Sequence, residues 1–417
     1  MGKRFDFSDI PIVDTHVHGP LGGMNRGELF ALDDKWYSQF ADRLMPVGES
    51  DAKLHELIQD EVKTQMETRT SSVSRFHYLA ETHSFTEGDR NRLEEDIVKT
   101  INASGIKEYA QATFDRERIK WVLVDHSFLT KDPSPKMDDF PEGRKKWTYP
   151  IAHLLQPDWV RDAKLSGAGE AASEIKNILQ NAKRNNCAGL KSTQAYFRDF
   201  DLTNVSEDEA EAALKILVKS PPYTYFDNPT RFPVYKDPGQ ISALKTYQDF
   251  LLKEIFAEAG RLELVMVIHV AVAVHPALKP WLNDPTKLYS IFDNDDVRRA
   301  NTKFLLIHTG YPNHHIVSSL ISQYPNVYVD LSHYSVDLSA LNVRILSEYL
   351  SISSPMKVMH GSDAAHPDII AFGCHNTRVA LGKFAEWLYE VEHWSDSEII
   401  DLAEKVMFKN ADRLFPE

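Results

Sequence analysis

Cysteine is nearly absent: Cys187 and Cys374 are the only two in 417 residues. Two cannot build a disulfide framework or a Cys-rich zinc site, and they suit a reducing, cytoplasmic compartment. No dense run of Lys or Arg occurs. With 47 basic against 61 acidic residues, the net charge is −14, which argues against a nucleic-acid partner. Long apolar runs are missing as well. The longest, near 264–274, contains His269 and is too short to span a bilayer. The N-terminus lacks the apolar stretch of a signal peptide, so no membrane partner is expected. There is no internal repeat, no low-complexity tract, no P-loop and no Gly-x-Ser-x-Gly elbow. Gly167-Ala168-Gly169-Glu170-Ala171-Ala172 superficially suggests a dinucleotide fingerprint. No strand precedes it, so it reads as a turn before a helix.

What the chain does have is a βα rhythm, in which short apolar runs alternate with longer amphipathic stretches. Strand candidates lie near 10–14, 119–125, 149–154, 187–191, 264–269, 304–308, 326–330 and 356–360. The run at 149–154 has the least strand character. Eight parallel strands with helices between them predict an α/β fold, a (β/α)8 barrel forming a single domain over 1–417. Helices are expected over 248–257, stopped by Gly260, over 376–393, and from Ser395 to about Asn410. Ser395-Asp396-Ser397-Glu398 has the form of an N-terminal cap. Two segments, 19–105 and 197–245, are too long for simple loops. Each follows a strand, so each is expected to lie over the active face as an insertion shaping the pocket.

Polar, metal-competent side chains recur where the apolar runs end. Ile12-Val13-Asp14 leads into Thr15-His16-Val17-His18. His269 closes Leu264–Ile268, and His308 closes Phe304–Ile307. Asp363 follows Met356–Met359 by a few residues. A parallel barrel gathers its strand ends on one face, so residues scattered in sequence surround one point. His16 and His18, two apart on a strand, point to the same side. Each motif alone also fits ordinary polar residues at a strand exit, and Asp363 alone fits a helix N-cap. Together they point to a cation site for Zn, or for Mn or Fe, holding one or two ions. A carboxylate at position 363 can ligate the ion and also exchange protons with water that the ion acidifies. Lys191, ending Cys187–Leu190, has three readings: a carbamate bridging two ions, an ammonium that grips a substrate carboxylate, or a salt-bridged lysine. Tyr196, Arg198 and Tyr311 lie just past ligand-bearing strands and are substrate-contact candidates. His360 is a candidate donor behind the ligands. His275, His314, His315, His333 and His366 are further histidines near this face, most of them not expected to be ligands.

The order His16-x-His18, Lys191, His269, His308, Asp363 resembles the amidohydrolase superfamily. Its branch that includes the N-terminal domain of nodulin/glutamine-synthetase-like (FluG-type) proteins is the nearer likeness. Gly189-Leu190-Lys191-Ser192 with Ala195-Tyr196 is similar to the branch's fourth strand. Tyr324–Ser332 is similar to its seventh, and Gly361-Ser362-Asp363-Ala364 to its eighth. The likeness spans about 10–415 and is weakest over 19–105. It departs after Tyr196, where an Arg is expected directly, and after His269, where Val270–Val274 replaces a polar turn.

The resemblance implies His16, His18, Lys191, His269, His308 and Asp363 as metal ligands, with His308 and Asp363 catalytic. It implies a metal-dependent hydrolase of a small polar substrate, at an amide or other C–N bond, with Asp363 as general base. A metal-dependent non-oxidative decarboxylase, an isomerase of sugar acids and an inactive binding barrel are the alternatives. The expected partner is a small-molecule substrate, and a homo-oligomer is left open.

Overall fold

The structure, a computed structural model, describes residues 5–19, 21, 51–126, 137–219, 223–224, 233–234, 237–271, 279–333, 335 and 339–416. Residues 22–50 of the first long segment, 225–232 of the second, and His275 lie outside the described residues.

Eight strands form one parallel sheet in chain order. They are β1 (Ile12–Gly19), β2 (Ile119–His126), β3 (Lys145–Pro150), β4 (Gly189–Ser192), β5 (Val265–His269), β6 (Phe304–Ile307), β7 (Val327–Asp330) and β8 (Val358–Met359). The last strand returns to the first. Thr15 N–H donates to the His360 carbonyl at 3.0 Å, His18 N–H to Ala364 at 2.8 Å, and Asp363 N–H to His16 at 2.7 Å. The fold is therefore the expected (β/α)8 barrel, with helices outside and between the strands.

Alternation along each strand sorts side chains to opposite faces. Val122, Val124, Met266, Ile268 and Leu306 pack outward under the helices. Trp121, Leu123, Val265, Val267, Leu305, Ile307 and Met359 form a separate apolar cluster inside the barrel. Ala411, Leu414 and Phe415 from the C-terminal helix join that cluster. Following the same parity, Trp121 and Leu123 lead to Asp125, and Val265 and Val267 lead to His269. The interior is thus apolar toward the strand starts and polar at the strand ends. β1 is the exception. Its pairing with β2 is irregular on both sides of Asp14. Such a bulge re-aims side chains, which lets Val13 and the pair His16/His18 share the interior.

Several expectations change. The third strand is Lys145–Pro150, followed by a tight helical turn at Ala152–Leu155, rather than 149–154. Trp147, Thr148 and Tyr149 are strand formers with buried side chains, and Pro150 has no N–H to extend a ladder. The helix expected over 248–257 runs Pro238–Arg261, straight through Gly260. That glycine exists for close approach: a Cβ there would lie 2.4 Å from the Ala300 carbonyl oxygen. The helix after β8 spans Pro367–Glu390 and is capped by His366, so Asp363 is not an N-cap. Ser395 and Glu398 do form a reciprocal capping box, on a helix of Asp396–Glu404. It continues through a wider π turn, Lys405–Lys409, into Asn410–Leu414. The glycine-rich stretch opens the helix Ala168–Arg184, whose Ala168 N–H donates to Glu211 at 2.8 Å.

Within the first long segment the described residues form helices Ala52–Glu67, Thr70–Thr82 and Arg90–Ser104. His83 lies 3.3 Å from Asp368. Tyr109, on the helix Ile106–Arg116, donates to the same carboxylate at 2.6 Å. Asp368 stands at the start of the helix that follows β8, so this contact lies near the strand C-termini.

Candidate active site and metal centre

Register sets the first contact. His18 pairs with Asp125 across β1 and β2, so the two side chains leave neighbouring strands at one level. Asp363 then reaches across from beyond β8. Its Oδ1 lies 3.0 Å from His16 Nε2 and 2.9 Å from His18 Nε2. Its Oδ2 lies 3.4 Å from His333 Nδ1 and 3.8 Å from His308 Nδ1. Lys191 Nζ forms an ion pair with Asp125 Oδ2 at 2.8 Å and lies 3.3 Å from His16 Nε2. The His308 ring centroid is 5.1 Å from that of His16 and 4.4 Å from that of His269. All six ligands expected from the resemblance therefore gather at one place.

Backbone strain marks this site. His308, Thr309, His333 and Asp363 all have positive φ, between 56° and 69°. Side chains with a Cβ pay of order 1–3 kcal/mol each for such conformations, which persist only where neighbours enforce them. Asp330 is one enforcer. It accepts from His308 N–H at 3.1 Å, from Ser332 N–H at 3.0 Å and from Thr15 Oγ1 at 3.0 Å. Gly361 makes room for it, since a Cβ there would meet Asp330 Oδ2 at 2.7 Å.

Electrostatics leave most of the imidazoles neutral. Burial and the nearby Lys191 lower His16 to about 4 and His269 to about 3. Burial takes His308 well below its ordinary value. Burial also opposes charge on His18, but the hydrogen bond and charge of Asp363 outweigh it and raise that pKa. Burial would raise Asp363, yet the histidines around it, His308 foremost, hold it well below the usual carboxylate range. Asp125 is held low against its burial chiefly by Lys191.

The donor set fits a divalent transition ion. Neutral imidazole nitrogens and ionised carboxylates are the ligands such ions take. His16, His18 and Asp125, and likewise His16, His308 and Asp363, place ligand atoms within 4.8 Å of one another. Around a tetrahedral ion with bonds of about 2.05 Å, ligand atoms stand roughly 3.3 Å apart, close to the separations of 2.9 and 3.0 Å seen at Asp363. Both Asp125 oxygens are buried without a hydrogen bond that meets ordinary geometry.

The other candidates divide. The Tyr196 ring lies 5.0 Å from that of His269, at the site. Arg198 is engaged elsewhere: Nη2 donates to Asp249 at 2.6 Å and to the Asp201 carbonyl at 2.6 Å, and Nε donates to Asp199. Tyr311 stacks on His314 at 6.0 Å with an interplanar angle of 3°. His360 is bonded through Nδ1 to Thr377 Oγ1 at 2.8 Å, with Asp14 at 3.7 Å, behind the ligand cluster. Sequence reasoning misses Asp125, and places His333 only among the further histidines near this face, without a role. Asp125 closes the apolar run Trp121–Val124 and obeys the same strand-end rule as the others. His333 carries no such signal, because a left-handed turn beyond β7 brings it in.

A pH effect follows from the buried histidines. His16, His153 and His366 titrate near 4, and His269 and His360 near 3, each because burial disfavours the charged ring. In the unfolded chain they titrate near 6.5. Between about pH 6.5 and 4 the unfolded state binds more protons at these five, so stability falls as pH falls. Asp14 and Asp330 act oppositely, because burial raises them to about 7 and about 6. His308, His314 and His375, also lowered, join the five, and His18, raised by Asp363, joins the two; eight against three leaves a net loss, of about 1.4 kcal/mol per pH unit for each net proton. Urea midpoints of chelator-treated protein are expected to drop from pH 6.5 to 4.5. A constant or rising midpoint contradicts this account.

The fold is a parallel eight-stranded barrel whose strand ends gather a cluster of histidines, aspartates and one lysine. The amidohydrolase family model matches residues 232–416, the part that carries β5 to β8. No curated protein matches the chain at a significant level. Solved structures resemble it along its whole length. A candidate metal-dependent hydrolase from Lactobacillus casei is 17% identical, with a TM-score of 0.72 over 99% of this chain and 98% of its own. Uronate isomerase from Thermotoga maritima is 13% identical, with a TM-score of 0.67 over 98% and 95%. Glucuronate isomerase from Caulobacter crescentus is 13% identical, with a TM-score of 0.65 over 98% and 91%. At these identities the likeness establishes the fold. No helix among the described residues is long and apolar enough to cross a membrane.

Proposed function

We propose that the protein is a metal-dependent hydrolase of the amidohydrolase type, acting on an amide or other C–N bond of a small polar substrate. One observation carries the reading: His16, His18, Asp125, Lys191, His269, His308 and Asp363 converge at the C-terminal ends of the barrel strands. His16, His18, His308 and Asp363 would hold the ion, with Asp125 and His269 beside them; zinc is the first choice for this nitrogen-rich set. Such an ion supplies Lewis acidity that polarises a carbonyl and acidifies water.

The chain's own residues do the rest. Asp363, kept ionised by its histidines, accepts a proton from the attacking water and returns it to the leaving nitrogen. His308 is held neutral and fixed through Nδ1 by the Ser332 hydroxyl at 3.0 Å, so its ring is oriented toward its task rather than free to turn. His269 Nε2 donates to the Ala271 carbonyl at 3.1 Å, which sets its tautomer and leaves Nδ1 the lone pair. Tyr196, beside His269, contacts substrate. Lys191, ion-paired with Asp125 at 2.8 Å, grips an anionic group of the substrate over a single ion.

The test is a panel of N-acyl amino acids, cyclic amides and ureido acids offered to protein reconstituted with zinc or manganese, with uronic acids and aromatic carboxylates alongside. Release of amine from the C–N compounds is expected. Aldose–ketose interconversion of uronic acids without any such release would assign the isomerase chemistry, and CO2 release the decarboxylase chemistry.

A further inference from the structure

A second group of metal-competent side chains stands on the outside of the barrel. His314 and His315 open the helix His314–Gln323, which follows β6. Glu348 lies on the helix Ser339–Ile352, which follows β7. The ligand atoms of the three lie within 4.8 Å of one another. Glu348 Oε1 is 2.8 Å from His315 Nδ1, and Oε2 is 3.6 Å from His314 Nε2. Those two separations bracket the roughly 3.3 Å expected between ligand atoms on a tetrahedral ion.

His314 supplies an independent reason to look for a ligand. Its side chain is 3% exposed. Neither ring nitrogen makes a full hydrogen bond, although the Pro312 carbonyl is close by. Leaving a buried imidazole nitrogen unbonded is costly. The ring is nevertheless held in a defined plane, parallel to Tyr311 at 6.0 Å. Burial and the neighbouring His315 lower its pKa, which favours the neutral ring that ligates metals. His315 is 61% exposed, so one side of the group is open to solvent ligands. Arg344, an exposed cation nearby, opposes a bound ion.

We propose that His314, His315 and Glu348 form a second binding site for a divalent transition ion of the zinc class. Two imidazoles and one carboxylate, completed by solvent, are a donor set for zinc, nickel or copper rather than for magnesium or calcium. The ion would tie the helix after β6 to the helix after β7. That tie lies close to the barrel site: Tyr349, next to Glu348, donates its hydroxyl to the carbonyl of Thr309, the residue after His308. The site steadies the turn that carries His308 and takes no part in the reaction itself.

The experiment counts ions by difference, so it stands whether or not the barrel site binds metal. Untagged wild type, His315→Ala and Glu348→Gln are stripped with chelator and equilibrated with zinc at a buffered, saturating free concentration. They are then desalted and analysed by elemental mass spectrometry. The expected result is one zinc fewer per chain in each variant, with unchanged circular dichroism. Zinc should also raise the Tm of wild type by about 3 °C more than that of the variants. His315 is exposed, so its replacement does not threaten folding; Glu348→Gln keeps shape and removes charge. Equal zinc content in wild type and His315→Ala overturns the proposal.

Discussion

Protein carrying His16→Ala together with His18→Ala is expected to lose most of the metal that its barrel binds. His16 alone belongs to both ligand groups, with His18 and Asp125 on one side and with His308 and Asp363 on the other. Removing both imidazoles leaves Asp363 Oδ1 without its two nearest partners, at 3.0 and 2.9 Å. The remaining donors, Asp125, His269, His308 and Asp363, sit on β2, at the end of β5, in the turn after β6 and in the turn after β8, no two on one strand. A loss of one or two ligands from a four-ligand ion weakens binding by orders of magnitude, because each contributes a direct bond. Elemental analysis of unchelated wild type and variant measures it. To keep the count clean, both proteins should carry Glu348→Gln. Equal metal content in the two would remove the barrel site from consideration. The double variant should stay folded, because Asp363 retains His333 at 3.4 Å and Lys191 retains Asp125 at 2.8 Å.

Asp363→Asn is expected to preserve the fold while lowering turnover by about 10²–10⁴. The amide keeps the shape and an oxygen that can ligate weakly. It cannot accept a proton. Asp363 is kept ionised by surrounding imidazoles despite its burial, so the wild-type carboxylate is available as a base across the neutral range. Single-turnover rates on the first substrate found will decide, with metal content measured on the same samples. A near-wild-type rate in metal-loaded Asp363→Asn rules out this carboxylate as the base. A rate that recovers fully with excess metal would assign Asp363 to ion binding alone.

The apolar runs closing on His269 and His308, and the His-x-His after Val13, were legible because strand length and alternation are local properties of the chain. So was the barrel itself, since eight such runs separated by helical stretches admit few other arrangements. The third strand was harder. Lys145-Lys146-Trp147-Thr148 begins with two charges, and its burial depends on Lys146 reaching the carbonyls near Phe415. Asp125 was equally visible at a strand end, yet its importance rests on Lys191, 66 residues away, which only the β2–β3–β4 neighbourhood brings to 2.8 Å.

Arg198 shows the opposite limit. Its place just past β4 makes it look like a substrate contact. Asp249, on the helix before β5, takes its guanidinium instead, because a buried arginine needs a buried carboxylate close at hand. Nothing in the local sequence around 198 reveals that partner.

By itself, then, the sequence determined the parallel strand order, the periodicity of its helices and the residue types that wait at the strand ends. These follow from short-range sterics and from the burial of alternating apolar side chains. Tertiary structure alone decided the rest. It switched the facing of β1 at the irregularity around Asp14, forced His308, His333 and Asp363 into left-handed turns, and paired Lys191 with Asp125. It also left His314 buried beside Glu348. Each of these depends on contacts between segments far apart in the chain, whose cost and benefit exist only once the barrel has closed.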